Sequence, residues 1–316
     1  MIRPFRLPTA LTLALAATFT TACARNRAVT PTPAPDEHAG HAMAQSAGNM
    51  ASSSIQSVGL PPDNEGAPAR LGASPRHGEY VMIPTGGVGG TDSLRAWVVY
   101  PERRDRAPVV MVVHEIFGLS PWVRGVADQL AADGFIAVAP DLLTGKRPAG
   151  WLESQPQDST VALIRTLRPA DVAAHLDAVG TWSRALPAAS GSLGIVGYCW
   201  GGSTVWNYAS HAGDRLQAGV VYYGGSPNAD AFATVRAPIL GLYGGDDARV
   251  NATIQPASDQ MKKLNKTYEA NVYDGAGHGF LRQQDGRDGA NSKAAKQAWP
   301  TTVQFLRKHT ADGKAK

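Results

Sequence analysis

The sequence predicts an α/β fold, a single domain built on a mostly parallel, doubly wound sheet flanked by helices. Three observations predict it. From about residue 78 onward, apolar β-branched runs alternate with amphipathic stretches of helical period. The central runs, such as 108–113 and 238–243, are continuously apolar rather than alternating, as parallel strands covered on both faces must be. Two strand-like runs come first and read as an antiparallel entry to the β-α alternation. In such a sheet, ligands bind beyond the carboxyl ends of the strands.

Taken in order, the strands are expected at 80–84, 94–100, 108–113, 135–139, 193–196, 218–223, 238–243 and 268–273. Helices are expected at 122–133, 171–185, 202–211, 255–264 and 292–309. Asp133-Gly134 and Ala212-Gly213 read as helix stops. Pro300 falls inside the last helical pattern, where its missing N–H and its ring favour a kink.

The chain ahead of this domain has a different character. Arg3 and Arg6 precede an uncharged run of Leu, Ala and Thr that stops at Thr20-Thr21-Ala22-Cys23. Residues 1–23 therefore read as an export signal, too short and too rich in Thr and Ala for a membrane span. Small residues before a cysteine resemble the lipobox of bacterial lipoproteins, which implies lipidation of Cys23, attachment to a membrane and a periplasmic or outer-membrane location. Residues 24–77 are rich in Ala, Pro, Ser, Gly and Asn and are expected to form a disordered tether. His38 and His41, with Met43 nearby, read as polar tether residues, because no companion ligands accompany them. The folded domain is expected over 78–312.

The formal net charge is +4. No run of Lys and Arg is interleaved with aromatics, so nucleic acid is not an expected partner. The chain has two cysteines. With Cys23 assigned to the signal, Cys199 has no disulfide partner and is a free thiol.

Cys199 sits in Gly197-Tyr198-Cys199-Trp200-Gly201-Gly202. That is the Gly-x-nucleophile-x-Gly spacing of a strand-to-helix elbow, with sulfur in place of the commoner hydroxyl. Gly197 and Gly201 keep bulk away from the bend, and the helix N-terminus beyond it favours thiolate. An acidic pair follows an apolar run in Gly244-Gly245-Asp246-Asp247, and a histidine lies in the glycine-rich loop Gly275-Ala276-Gly277-His278. Nucleophile, acid, histidine is the chain order of α/β-hydrolases, and each separation is long enough for a βα unit. His278 would share the thiol proton, and Asp247 would hold its imidazole; Asp246 is the alternative carboxylate. Upstream, the third run ends at His114-Glu115-Ile116. The backbone N–H groups of Ile116 and Trp200 are the expected oxyanion-hole donors.

These segments, with Ala139-Pro140-Asp141-Leu142, Tyr222-Tyr223-Gly224 and His278-Gly279-Phe280, resemble the dienelactone hydrolase family (carboxymethylenebutenolidases) over about 78–310. The resemblance implies an α/β-hydrolase fold and a Cys-His-Asp triad at Cys199, His278 and Asp247. It also implies that Glu115 helps to deprotonate the thiol and that Arg282 binds the substrate carboxylate. A second family arginine should follow Pro140-Asp141. Arg147 and Arg165 are the nearest, and neither aligns well. The expected activity is hydrolysis of a small, carboxylate-bearing ester or lactone through a thioacyl enzyme, with no metal and no organic cofactor. General carboxylesterase, thioesterase or peptide-like hydrolysis on the same triad is the alternative, as is a non-catalytic, ligand-binding surface lipoprotein. A monomer is compatible with the sequence.

Overall fold

The computed structural model describes residues 59–148 and 157–311, all within the compact unit Ser53–Lys316. The signal segment with Cys23, and the tether as far as residue 58 with His38, His41 and Met43, lie outside the described residues.

All eight expected strands form one sheet: β1 (Gly78–Pro84), β2 (Ser93–Val99), β3 (Ala107–Val113), β4 (Ile136–Pro140), β5 (Ala189–Tyr198), β6 (Ala218–Tyr222), β7 (Ile239–Gly244) and β8 (Tyr268–Tyr273). Their spatial order is β1-β2-β4-β3-β5-β6-β7-β8. β2 pairs antiparallel with both β1 and β4, and every other pairing is parallel. The sheet is thus α/β-hydrolase in type, a parallel body with an antiparallel edge.

The strands alternate between two cores. Val109, Met111 and Val113 of β3 pack on one face, while Val110 and Val112 pack on the other. All five are fully buried, each burial favouring the fold by about 1.5–3 kcal/mol before entropy is counted. The first face is covered by α4 (Pro169–Arg184), α5 (Trp200–Ala212) and α7 (Ile254–Lys263). The second is covered by α2 (Pro121–Ala132) and α8 (Ala290–Thr310). Helix α8 runs on through Pro300 without a break. Pro300 is exposed, while Trp299 and Thr302 beside it are buried, so packing holds the helix where local propensity would end it.

The N-terminal boundary differs from the expectation. Residues 59–77 belong to the domain rather than to a tether. They include a short helix, α1 (Ala67–Gly72), packed against α2. The Trp122 Nε1–H donates to the Pro62 carbonyl at 3.0 Å, and Arg76 forms paired hydrogen bonds to Asp128 at 3.0 and 2.7 Å. The composition of this stretch is that of a linker. A few apolar and charged anchors, Ala67 and Arg76 among them, tie it down. Two other short helices lacked a periodic signal, α3 (Gln157–Ile164) and α6 (Ala248–Asn251).

Candidate active site

The carboxyl ends of β3, β5, β6 and β7 bring Glu115, Cys199, Tyr223 and Asp247 to one end of the sheet. β5 ends at Tyr198 and α5 begins at Trp200, leaving Cys199 as the single residue of the bend. Its backbone lies at φ 56°, ψ −116°, a conformation costly for a side chain with a Cβ, on the order of 1–3 kcal/mol. The bend is held by the Cys199 N–H, which donates to the Tyr222 carbonyl at 3.0 Å. It also needs its glycines: a Cβ on Gly197 would lie 2.1 Å from the Gly201 carbonyl oxygen. One on Gly201 would lie 2.4 Å from that of Val113. The helix N-terminus therefore sits directly on the end of β3.

His278 lies in the loop after β8, and its Nδ1 stands 2.5 Å from Asp247 Oδ2. A carboxylate can only accept, so Nδ1 carries the proton and Nε2 is left for the site. Asp246 is turned away and pairs with Arg287 at 2.8 Å. Of the two acids that the sequence offered, it is Asp247 that meets the histidine. The ring of Tyr223 lies 5.1 Å from that of His278.

Glu115 is buried at the end of β3 and pairs with Arg282, Nε to Oε2 at 2.8 Å. The two atoms are close but poorly aligned for a hydrogen bond, and the nearby Tyr223 hydroxyl adds a further weak pull on the carboxylate. Burial pushes the Glu115 carboxyl up to about 7, against the pull of Arg282. The Arg282 guanidinium also lies 4.9 Å from the Phe117 ring centroid. Sequence reasoning gave Arg282 to the substrate; here Glu115 occupies it.

The thiol itself departs from expectation. Burial, and then the charge of Glu115, push Cys199 up to about 11, outweighing the Trp200 N–H and the charge of Arg249 that favour thiolate. The helix N-terminus acts in the expected direction but loses to desolvation. In this state Cys199 is a protonated thiol.

Of the arginines near the expected second position, Arg147 is already committed. Arg147 grips buried Asp141 with hydrogen bonds of 2.6 and 2.9 Å, and Arg95 adds a third at 2.9 Å. That cluster is structural. Arg249, in α6 just after Asp247, is exposed and within electrostatic reach of Cys199. Nothing in the sequence marks it, because only the fold turns that short helix toward the thiol. Tyr223, at φ 38° and fully buried, is a second residue that composition could not single out. Among the described residues, no group of three or more His, Cys, Asp or Glu side chains is placed to hold a metal ion.

Comparison with known proteins identifies the family. The family model for the "Dienelactone hydrolase family" matches residues 94–310. A protein from Salmonella typhimurium named "Putative carboxymethylenebutenolidase" is 32% identical over 233 residues, covering 68% of this chain and 83% of the relative. One of the same name from Escherichia coli K12 is 30% identical over 248 residues, covering 73% and 86%. The crystal structure titled "Putative Dienelactone Hydrolase" from Klebsiella pneumoniae is 29% identical with a TM-score of 0.63, covering 73% of this chain and 98% of that one. The chain belongs to the dienelactone hydrolase family and is a dienelactone hydrolase-like hydrolase.

Proposed function

We propose that the protein hydrolyses a small ester or lactone that carries a carboxylate, with Cys199 as nucleophile and His278 and Asp247 completing the triad. The observation that carries this reading is the buried, misaligned Glu115–Arg282 pair beside a protonated thiol. A substrate carboxylate can claim Arg282, since a guanidinium fork accepts both of its oxygens. Glu115, released, is then the nearby base that a thiol pushed up to about 11 requires. The chemistry thus waits for a carboxylate to arrive.

The steps follow for a lactone. Glu115 takes the Cys199 proton, and the sulfur attacks the carbonyl carbon. The N–H groups of Ile116 and Trp200 hold the oxyanion, and collapse breaks the ring C–O bond to give a thioester with a freed oxygen. His278 takes a proton from water as the hydroxide attacks the thioester. The departing sulfur recovers its proton from Glu115, and the His278 imidazolium protonates the oxygen freed in the first step. Arg249, exposed and within electrostatic reach of the thiol, is the second cation that the carboxylate meets.

The test is turnover of a carboxylate-bearing lactone, its neutral methyl ester and a p-nitrophenyl ester by the wild type and by Cys199→Ala. The expected result is turnover of the carboxylate-bearing lactone well above the two neutral probes, with all of it lost in Cys199→Ala. Equal rates on charged and neutral probes would make the protein a general carboxylesterase. Equal activity in the wild type and Cys199→Ala would refute the thiol mechanism.

A further inference from the structure

His114, between the end of β3 and Glu115, has no part in the steps above. It is completely buried, and both its ring nitrogens are engaged. Nδ1 lies 2.7 Å from the Glu115 carbonyl oxygen, which can only accept, so Nδ1 carries the proton. Nε2 accepts from the Leu142 N–H at 3.3 Å. These partners require the neutral ring in one tautomer, and burial holds its pKa below the ordinary histidine value.

The consequence lies one atom along the chain. The Glu115 carbonyl and the Ile116 N–H belong to the same peptide plane. With every peptide among the described residues trans, the two groups point in opposite directions. A ring that grips the carbonyl on one side therefore aims the Ile116 N–H to the other. The Gly118 N–H also reaches the Glu115 carbonyl, but at 3.3 Å, so the short bond from His114 dominates. Among the described residues, the Ile116 N–H has no hydrogen-bond partner of its own. The face of the His114 ring meets the other donor residue: it stacks on Trp200 with centroids 5.6 Å apart and planes 19° from parallel. The far side of the ring is anchored by the Leu142 N–H, and neighbouring Asp141 is locked by Arg95 and Arg147.

We infer that His114 is a positioning residue that sets the oxyanion hole, fixing the Ile116 N–H through the Glu115 peptide and backing Trp200 through its ring face. The inference rests on the thiol-hydrolase reading above. It separates the oxyanion hole, which His114 governs, from the thiol, which it does not touch.

Two isosteres divide the ring's contacts. His114→Asn places an amide N–H near Nδ1 and keeps the bond to the Glu115 carbonyl. His114→Gln reaches the Nε2 position and the Leu142 N–H but gives up Nδ1. Each is compared with wild type for kcat and KM on a p-nitrophenyl ester. The rate of Cys199 alkylation by iodoacetamide, which forms no oxyanion at a carbonyl, is measured beside them. Removing an oxyanion donor outright costs about 10²–10³ in kcat, so a misaimed donor should cost about tenfold or more. The expected result is that loss in His114→Gln, with KM and alkylation little changed, and most of kcat restored in His114→Asn. The inference is overturned if His114→Gln keeps wild-type kcat, if His114→Asn is no better than His114→Gln, or if alkylation falls in step with kcat. If wild-type turnover survives Cys199→Ala, it is the thiol-hydrolase reading that fails.

Discussion

Two buried carboxylates sit at neighbouring strand ends and behave in opposite ways. Asp141, after β4, and Glu115, after β3, are 0% and 3% exposed, and each has arginine beside it. Burial pushes both upward. For Asp141 the hydrogen bonds and charge of Arg147, helped by Arg95, more than reverse that push and hold the carboxyl below its ordinary value. For Glu115 one poorly aligned arginine, with the Tyr223 hydroxyl, does not, and the carboxyl rises to about 7. The difference is the number of aligned donors. Asp141 has three guanidinium hydrogen bonds and one from the Leu143 N–H. A satisfied carboxylate is a structural rivet, and an unsatisfied one is free to change partners.

The comparison breaks most visibly at the rivet. Asp141→Asn keeps the shape and removes the charge, leaving Arg95 and Arg147 to face a neutral amide. Breaking a buried pair in this way costs about 3–5 kcal/mol. Urea unfolding of the variant should show a loss of that size, and a loss below about 1 kcal/mol would make the rivet decorative. The pH signature is that of a depressed acid. Its stabilisation is present above the unfolded value of 3.8 and is lost as pH falls through the lower folded value.

Glu115 should show the opposite sign. Its folded value of about 7 lies above the unfolded 4.5, so the native state holds the proton longer. Stability therefore falls as pH rises from 4.5 to about 7 and is flat above, a difference on the order of 3 kcal/mol. Glu115→Gln should remove that slope in urea titrations run across the window. The same variant has two kinetic effects of opposite sign. Removing the nearby negative charge should make Cys199 easier to ionise, so iodoacetamide should alkylate the free enzyme faster at pH 8. Turnover should nevertheless fall, because the base proposed to receive the thiol proton is gone. If alkylation and turnover move together, Glu115 affects the thiol only through its charge.

The same contrast explains what could be read from the chain. The strands were legible because β3, β5, β6 and β7 are buried on both faces and so carry long apolar runs. The elbow at Cys199 and the pairing of Asp247 with His278 were legible because an elbow and two glycine-rich loops have fixed local chemistry. Residues 59–77 were misread because linker-like composition hides a few anchors, Ala67 and Arg76 among them. The state of the thiol was misread as well. A helix N-terminus is a local feature, whereas desolvation and the charge of Glu115 come from the tertiary fold. Arg147 and Arg249 are the clearest case. Both are arginines near site residues in sequence, and only geometry assigns one to Asp141 and the other to the thiol's surroundings.

That last assignment gives the smallest and most selective effect. Arg249 is exposed, and water screens its charge. It cannot anchor a substrate in the way proposed for half-buried Arg282, but it can favour the arrival of a negative one. Arg249→Met should raise KM for a carboxylate-bearing lactone about fivefold, the reach of an exposed ion pair. KM for the neutral methyl ester should stay unchanged. Added salt should erase the difference between wild type and variant, since screening already removes what the mutation removes. A variant that raises KM equally for charged and neutral substrates would show that Arg249 shapes the mouth of the site by bulk rather than by charge. The substrate carboxylate would then depend on Arg282 alone, and the exchange of partners at Glu115 would carry the whole of the selectivity.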